Sequence, residues 1–408
     1  CPVGTEFITA FMENADVSSQ SGISLTTTIF AFEPSTLVTV TVHESSFRKE
    51  YILNEMEAQT VNFNSDAELG PGTSRSNKTV IIRANSSVVV LSMNYKTRTA
   101  DTAVIYPVED LSTEYYVLTP GRQNGNYHNE FAVINSNQVN IVTVSLKASV
   151  TYEGKSYPSG SNLTLYLSKY ENIQIQSTED LSGSHVVSQY PVAVLSGHQC
   201  VKSSSISCDH VFEQLLPVSK WGTSFIVVPL LISNNDDFVF VVAYQKTAIQ
   251  IKSGSSQEIK ELNGGEKAEL ILKPSVPLTI NATTGIMVMF FCTGNSYKSI
   301  KYDPALINII PTDTFYNSYI SVQHSSFRNH IVLIVITTQI SGLKLDNKHP
   351  FSSNNWMAIQ GTEYSWTDFQ TTFGNGYTVL NHSSSSFGVY SYGSEDFGTY
   401  GSTGICFD

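Results

Sequence analysis

PVAVLSGHQCVKSSSISCDHVFEQLLPVSKWGTSFIVVPL, residues 191–230, joins one compact apolar run to another through a serine-rich loop set between Cys200 and Cys208. The same order of parts occurs elsewhere. An apolar strand, a polar loop, an Asp, an apolar segment ending at a Pro, and an aromatic strand also make up VVVLSMNYKTRTADTAVIYPVEDLSTEYYVLTP from Val88 and IMVMFFCTGNSYKSIKYDPALINIIPTDTFYNSYISV from Ile286. The shared landmarks are Asp101, Asp209 and Asp303, then Pro107, Pro217 and Pro311, then Tyr115, Phe225 and Tyr319. A shorter copy from Ser386, SFGVYSYGSEDFGTYG, carries Asp396, and GTEFITAF near the start puts Phe7 in register with the three aromatics. Landmarks spaced roughly 100 residues apart mark units of small-domain size. The sequence therefore predicts four units, at 1–110, 111–219, 220–313 and 314–408.

Within a unit the pattern is of short strands. SFIVVPLLI, DFVFVVAYQ, TAIQIKS, QEIKEL, KAELIL and PLTINATTGIMVMFF follow one another in the third, separated by turn signals such as SNNDD and NGG. About six or seven strands in ~100 residues is the arithmetic of a β-sandwich. The fold class expected is all-β, four tandem sandwich-like repeats with little helix; a closed propeller-like ring is the alternative, disfavoured because a blade needs only about four strands. Glycine turns in SYPSGSNLTLYL and ELNGGEKAELIL read as counterparts in units two and three. Helix is expected only as a turn or two in DTAVIYPV, DHVFEQLL and DPALINII, with the Asp as N-cap and the Pro as stop.

Composition agrees and removes several functions. Hydrophobic residues make up 41% and charged residues only 14% of the 408, with 21 Tyr and 21 Phe, a balance suited to half-buried pleated surfaces. A net charge of -12 with 23 thinly spread basic residues argues against nucleic acid and against an anionic membrane surface. The longest apolar candidate, IMVMFF at 286–291, falls far short of the roughly 20 residues that span a bilayer, so no membrane insertion is expected. No charged-then-apolar leader opens the chain.

The five cysteines contain no CxxC and the nine histidines are scattered, so disulfides are a better reading than zinc. Cys200 and Cys208 are expected to close the serine-rich loop, which requires an oxidising compartment, and Cys1 and Cys406 to tie the two ends together. Cys292 then remains as a buried thiol or an intermolecular partner. Sequons at Asn77, Asn85, Asn162, Asn281 and Asn381 are candidate N-glycosylation sites, three of them (Asn85, Asn281 and Asn381) just before an apolar strand at an apparent hairpin turn. No GxSxG, HExxH or GxxxxGK[ST] occurs, and the His-Ser neighbours at His43, His324 and His382 are what a serine-rich chain produces by chance. The recurring Asp reads as a cap, not a catalytic set. Asp236 and Asp237 lack calcium-loop spacing, and the tyrosine clusters in TEYYVL, TEYSW and SYGSEDFGTY read as strand-face filling before they read as a binding platform. No catalytic residue, metal or cofactor is expected.

GTEFITAFMEN, VVVLSMNYKTRTADTAVIYPVEDLSTEYYV and above all CDHVFEQLLPVSKWG with its paired cysteines make the chain resemble, over nearly its whole length, the N-terminal domain of the IgGFc-binding protein family. That resemblance implies a secreted or extracellular-surface, non-enzymatic recognition or scaffolding module, associated with mucus or cell surfaces. Its partners would be extracellular proteins or glycoproteins, immunoglobulin Fc or mucin-like. In the family this domain usually precedes cysteine-dense von Willebrand D-type assemblies; they are absent here, and crosslinking that depends on them is not expected of this chain. Other readings are a passive spacer in a larger extracellular protein, a carbohydrate-binding adhesin, an enzyme of unrecognised type, and a bacterial surface protein lipidated at Cys1.

Overall fold

The computed structural model describes residues 1–15, 22–122, 125–203, 207–297, 300–348, 355–372, 374, 376–395 and 398–407. Strands dominate, and helix among the described residues is confined to short 3-10 turns, the longest Thr337–Gly342. The chain divides into two compact units, one of Pro2–Lys202 with Cys208–Lys220, the other of Trp221–Asp408 with Cys1 and the 203–207 segment.

In the first unit two sheets are each organised by one long strand. Val80–Lys96 pairs through its first half with Gly4–Thr9 and Thr36–Val42, and through its second half with Ser24–Ala31 and Thr99–Ile105. Arg48–Leu53 and Ala58–Phe63 extend the two halves. Residues 83–87 are partly exposed, and on either side of them the two halves form layers whose inner residues, Phe7, Val40 and Ile82 from one and Ile29, Val61 and Val90 from the other, meet in one core. His185–Val201 repeats the plan: Ser112–Tyr116 and Asn140–Ser145 flank its first half, Asn129–Asn135 and Asp209–Gln214 its second. Asn162–Leu167 and Asn172–Ser177 lie outside these. Ala132, Ile134, Leu195 and Phe212 of this second sheet belong to the core of the first. Both faces of that layer are therefore buried, as the unbroken burial of Asn129–Asn135 shows.

The second unit opens with the same arrangement about Leu278–Cys292, flanked by Gly222–Val227 and Thr247–Ser253, then by Asp237–Ala243 and Ala305–Ile309. Further on, the long strand is interrupted: Tyr377–His382 pairs with Ser318–Val322 and Leu343–Leu345, while Phe387–Glu395 pairs with Arg328–Ile336 and Gly398–Thr403. Val332, Ile334, Tyr390 and Tyr392 join the core built around Val241, Ile280 and Phe290.

Phe7, Tyr115, Phe225 and Tyr319 occupy matching registers, opposite Ile82, Val186, Ile280 and Leu380, and all are buried. A second recurring device lies before the strands Ala58–Phe63, Asn172–Ser177 and Lys267–Leu272. There the N–H groups of Asn54, Ser168 and Asn263 donate to the carboxylates of Glu57, Glu171 and Glu266 at 2.8, 2.8 and 2.7 Å. Between them Met56, Tyr170 and Gly265 take φ of 59°, 57° and 75°. The carboxylate satisfies a turn donor as an N-cap side chain does in reverse. This corrects the pairing of SYPSGSNLTLYL with ELNGGEKAELIL: the first leads into Asn162–Leu167, on the first layer, and the second into Lys267–Leu272, on the second.

The three Asp-to-Pro segments, expected as capped helical turns, are strands: Thr99–Ile105, Asp209–Gln214 and Ala305–Ile309. Their Val, Ile, Thr and Phe side chains lose less freedom on a sheet, and each strand finds a ladder partner in the long strand beside it. The prolines start short 3-10 turns instead of ending helices. The N–H groups of Asp110, Lys220 and Thr314 donate to the carbonyls of Pro107, Pro217 and Pro311 at 2.9, 2.9 and 3.0 Å. A fixed φ suits proline to a helix start.

Candidate functional site

The loop between Cys200 and Cys208 is closed by a disulfide with a Cα–Cα distance of 5.2 Å, and a second bond joins Cys1 to Cys406 at 5.0 Å. Ser204, Ser205 and Ile206 of that loop lie outside the described residues. Cys292 ends its strand fully buried, and burial holds its thiol pKa well up, which leaves it unreactive.

Beneath the closed loop the first unit buries a polar cluster that local sequence patterns do not reveal. His198 accepts from the Cys200 N–H at Nδ1 (3.0 Å), so its Nε2 donates to the Arg122 carbonyl at 3.0 Å. His210 lies stacked near Phe212, and its Nδ1 donates to the His198 carbonyl at 3.1 Å. Burial lowers both imidazoles to about 3, so both are neutral. Glu130 is wholly buried and its pKa is raised well above the carboxylate range by burial. It stands 3.9 Å from His210, where burial disfavours the charged form of both groups. Gln176 Nε2 donates to Glu130 and to Glu13, each at 2.8 Å, and Gln199 Nε2 donates to Glu13 at 2.6 Å. Alongside, Lys96 pairs with Glu68 at 2.9 Å and donates to the Asn14 carbonyl at 2.7 Å. Hydrogen bonds across sequence distances of 46 to 186 residues make this cluster an internal fastening.

The recurring aspartates fasten strands too. Asp209 Oδ1 accepts from the Ala100 N–H at 2.6 Å, and Asp101 Oδ2 accepts from the Phe212 N–H at 3.2 Å, a reciprocal exchange between two strands. Asp303 is buried, with burial raising its pKa to about 7, and its N–H donates to Thr399 Oγ1 at 2.9 Å. Asp396 lies outside the described residues. The other candidates are likewise occupied. Asp237 accepts from the Thr293 N–H at 2.8 Å and from Ser233, and among the described residues no group of His, Cys, Asp or Glu is arranged to hold a metal ion. His382 meets serines only through backbone, accepting from the N–H groups of Ser384 and Ser385 at 3.1 and 2.9 Å, so it activates no hydroxyl. His324 packs edge-on to Tyr400 at 4.7 Å.

Two surfaces among the described residues are candidates for binding. On the first layer of the sheet around His185–Val201, the register pairs Ile141 with Tyr166, Thr143 with Val187, and Val187 with Glu114, so these side chains share one face. Tyr166 is 65%, Val187 43% and Ile141 42% exposed. Beside them Tyr116 stacks on His185 at 4.3 Å, and His185 Nε2 stands 2.8 Å from Glu114 Oε1. The second surface is a groove of about 670 Å³ bordered by His43, Glu44, Phe47, Arg48, Asp66 and Lys78, with Phe47 stacked on Phe63 at 4.8 Å.

Asn77, Asn85, Asn162 and Asn281 are exposed and Asn381 is half-buried. Asn85 and Asn281 lie within the long strands Val80–Lys96 and Leu278–Cys292, and Asn381 lies within Tyr377–His382, so none is at the hairpin turn expected for it. Polar residues inside a long strand mimic a turn signal, but the backbone stays extended because both halves of the strand keep partners.

A family model described as IgGFc binding protein matches residues 101–393. Human IgGFc-binding protein is 33% identical over 365 residues, which is 90% of this chain and 7% of the relative; the chain thus spans a small fraction of that protein's length. Among solved structures, one titled "Ca2+-stabilized adhesin helps an Antarctic bacterium reach out and bind ice" covers 98% of this chain and 99% of its own at 9% identity, with a TM-score of 0.14, too low to bear on fold or function.

Proposed function

The chain belongs to the IgGFc-binding protein family, and from that premise we propose that it is an extracellular, non-enzymatic module that recognises a protein or glycoprotein. The first partners to test are immunoglobulin Fc, after the name of the human relative, and mucin-like glycoproteins. The observation that carries the reading is the open face of Ile141, Tyr166 and Val187, where aromatic and aliphatic groups stand exposed with Glu114 as their charged neighbour. Secretion is supported by the two disulfides. No helix among the described residues is long and apolar enough to cross a membrane. We read the chain as four copies of one strand plan, 1–110, 111–219, 220–313 and 314–408, supported by the matching registers of Phe7, Tyr115, Phe225 and Tyr319. The sequon asparagines Asn77, Asn85, Asn162, Asn281 and Asn381 are its glycan acceptors.

The test is surface-based binding of the secreted chain to immunoglobulin Fc, Fab and purified mucin, repeated with Tyr166→Ala and Val187→Ser, both exposed enough to leave the fold alone. Loss of binding in the variants is expected. Silence towards all three ligands leaves the chain a spacer and ends the proposal. The groove beside Phe47 favours a second reading, capture of a carbohydrate on an aromatic floor with polar walls, which a glycan array would reveal.

A further inference from the structure

Three strands occupy the same outer position in successive sheets, each ending a hydrogen-bonded order and pairing on one side only: Arg48–Leu53, Asn162–Leu167 and Ser256–Leu262. Unpaired N–H and C=O groups on such an edge are a template for another strand, and charged side chains are the usual guard. The first strand carries Arg48, Lys49 and Glu50, and the third Glu258, Lys260 and Glu261. NLTLYL, the middle one, has no charge at all. Its leucines 163, 165 and 167 are buried, while Asn162, Thr164 and Tyr166 are exposed.

Which backbone groups face outward follows from one contact. Arg75 Nη1 donates to the Tyr166 carbonyl at 2.7 Å, so Tyr166 turns its backbone away from the sheet. With a period of two, Thr164 and Asn162 do the same. Arg75 thus covers the Tyr166 end. The other half of the edge is Asn162-Leu163-Thr164, a glycosylation sequon. The Asn162 side chain is engaged through its carbonyl, which accepts from Ser145 Oγ at 2.8 Å, and glycosylation uses the other end of the amide.

We propose that an N-linked glycan on Asn162 is the guard of this edge, and that it prevents the strand Asn162–Leu167 from pairing antiparallel with the same strand of a second copy of the chain. The modification joins Asn162 Nδ2 to C1 of the first sugar; the amide loses one proton as the C1–O bond to a lipid-pyrophosphate oligosaccharide donor breaks and the lipid pyrophosphate leaves. An edge paired with itself antiparallel closes with two-fold symmetry, so the unguarded product is a dimer. This rests on the glycan-acceptor part of the proposed function and not on its binding partner.

The chain secreted from eukaryotic cells is analysed by glycopeptide mass spectrometry and by sedimentation velocity over a concentration series, beside Asn162→Gln, Thr164→Ala and Thr164→Lys, with melting curves confirming that each folds. Wild type should carry sugar on Asn162 and sediment as a monomer. Asn162→Gln and Thr164→Ala should shift to dimer with rising concentration, and Thr164→Lys, equally sugar-free but charged at the edge, should return to monomer. An unmodified Asn162 overturns the proposal, as do glycan-free variants that stay monomeric or a Thr164→Lys protein that dimerises like Thr164→Ala. Immunoglobulin and mucin binding, measured on wild type because Thr164 shares the open face with Tyr166 and Val187, reports separately on the binding function.

Discussion

Replacing Tyr115 by Phe removes one oxygen atom and two hydrogen bonds. The hydroxyl accepts from the Ser112 N–H at 3.0 Å and donates to the Val192 carbonyl at 2.8 Å. Val192 is completely buried, so its carbonyl would lose a partner with no water to replace it, while the half-buried Ser112 N–H regains some solvent. An orphaned buried acceptor costs about 1–3 kcal/mol and a solvated donor less, which puts the total near ~2 kcal/mol. For a cooperative unit of about 200 residues that is a fall of roughly 4–8 °C in melting temperature. Guanidinium titration of the variant beside wild type, followed by tryptophan-independent far-ultraviolet circular dichroism, measures it. Tyr319→Phe is the internal control. There the hydroxyl accepts from the Tyr316 N–H at 2.7 Å, and about half the loss is expected. At the other two matching positions the ring is Phe7 or Phe225, and a glycine three residues earlier lets Pro107 or Pro311 come within 2.4 Å of where a Cβ would stand. The turn is thus held in two ways, by a hydroxyl or by close packing on proline. A Tyr115→Phe protein as stable as wild type within about 0.5 kcal/mol would refute this account of the turn.

Replacing Cys200 and Cys208 by Ala reopens a loop of sequence separation 8 and should lower stability by about 2–3 kcal/mol in chemical denaturation, while reductant on wild type, which also opens Cys1–Cys406, should lower it further. The neutral His198 and His210, lowered to about 3 from an unfolded value near 6.5, contribute stability that is whole above pH 6.5 and is lost as pH falls from there towards 3. Melting temperatures across that window should decline, and His210→Gln should flatten the decline, leaving in place the opposite slope of Glu130, whose pKa burial raises. Asp303, raised by burial to about 7 from its ordinary 3.8, favours the folded state below 3.8 and progressively less as pH rises to 7, so Asp303→Asn should stabilise the protein at pH 8 and be nearly neutral at pH 4.

The strand plan was legible because its signals are local: alternating burial in TLVTVTV and NLTLYL, and aromatic landmarks at regular spacing. Cysteine pairing was legible because Cys200 and Cys208 lie eight residues apart and Cys1 and Cys406 stand near the two ends. What misled were polar residues in extended backbone. DHVFEQLL places Asp, Glu and Gln at spacings that a helix tolerates, yet Asp209, Glu213 and Gln214 are all buried in a strand, where the Asp209 and Gln214 side chains accept from the Ala100 and Tyr106 N–H groups. Glu130 in NEFAVIN would face water in an ordinary two-layer sheet. It is buried because a second sandwich's core covers that face, a fact held in contacts between residues as distant as Glu13 and Gln199. The Asn54, Ser168 and Asn263 turns did leave a trace, a polar residue three positions before a Glu, and that spacing would have aligned the sheets correctly where glycine did not.

The bond between Cys1 and Cys406 has a mechanical meaning. A pull applied to backbone on the outer sides of these two residues travels through one sulfur–sulfur link and leaves every strand between them without tension. Shear that would peel an ordinary sandwich apart from its ends would, here, first have to break a covalent bond.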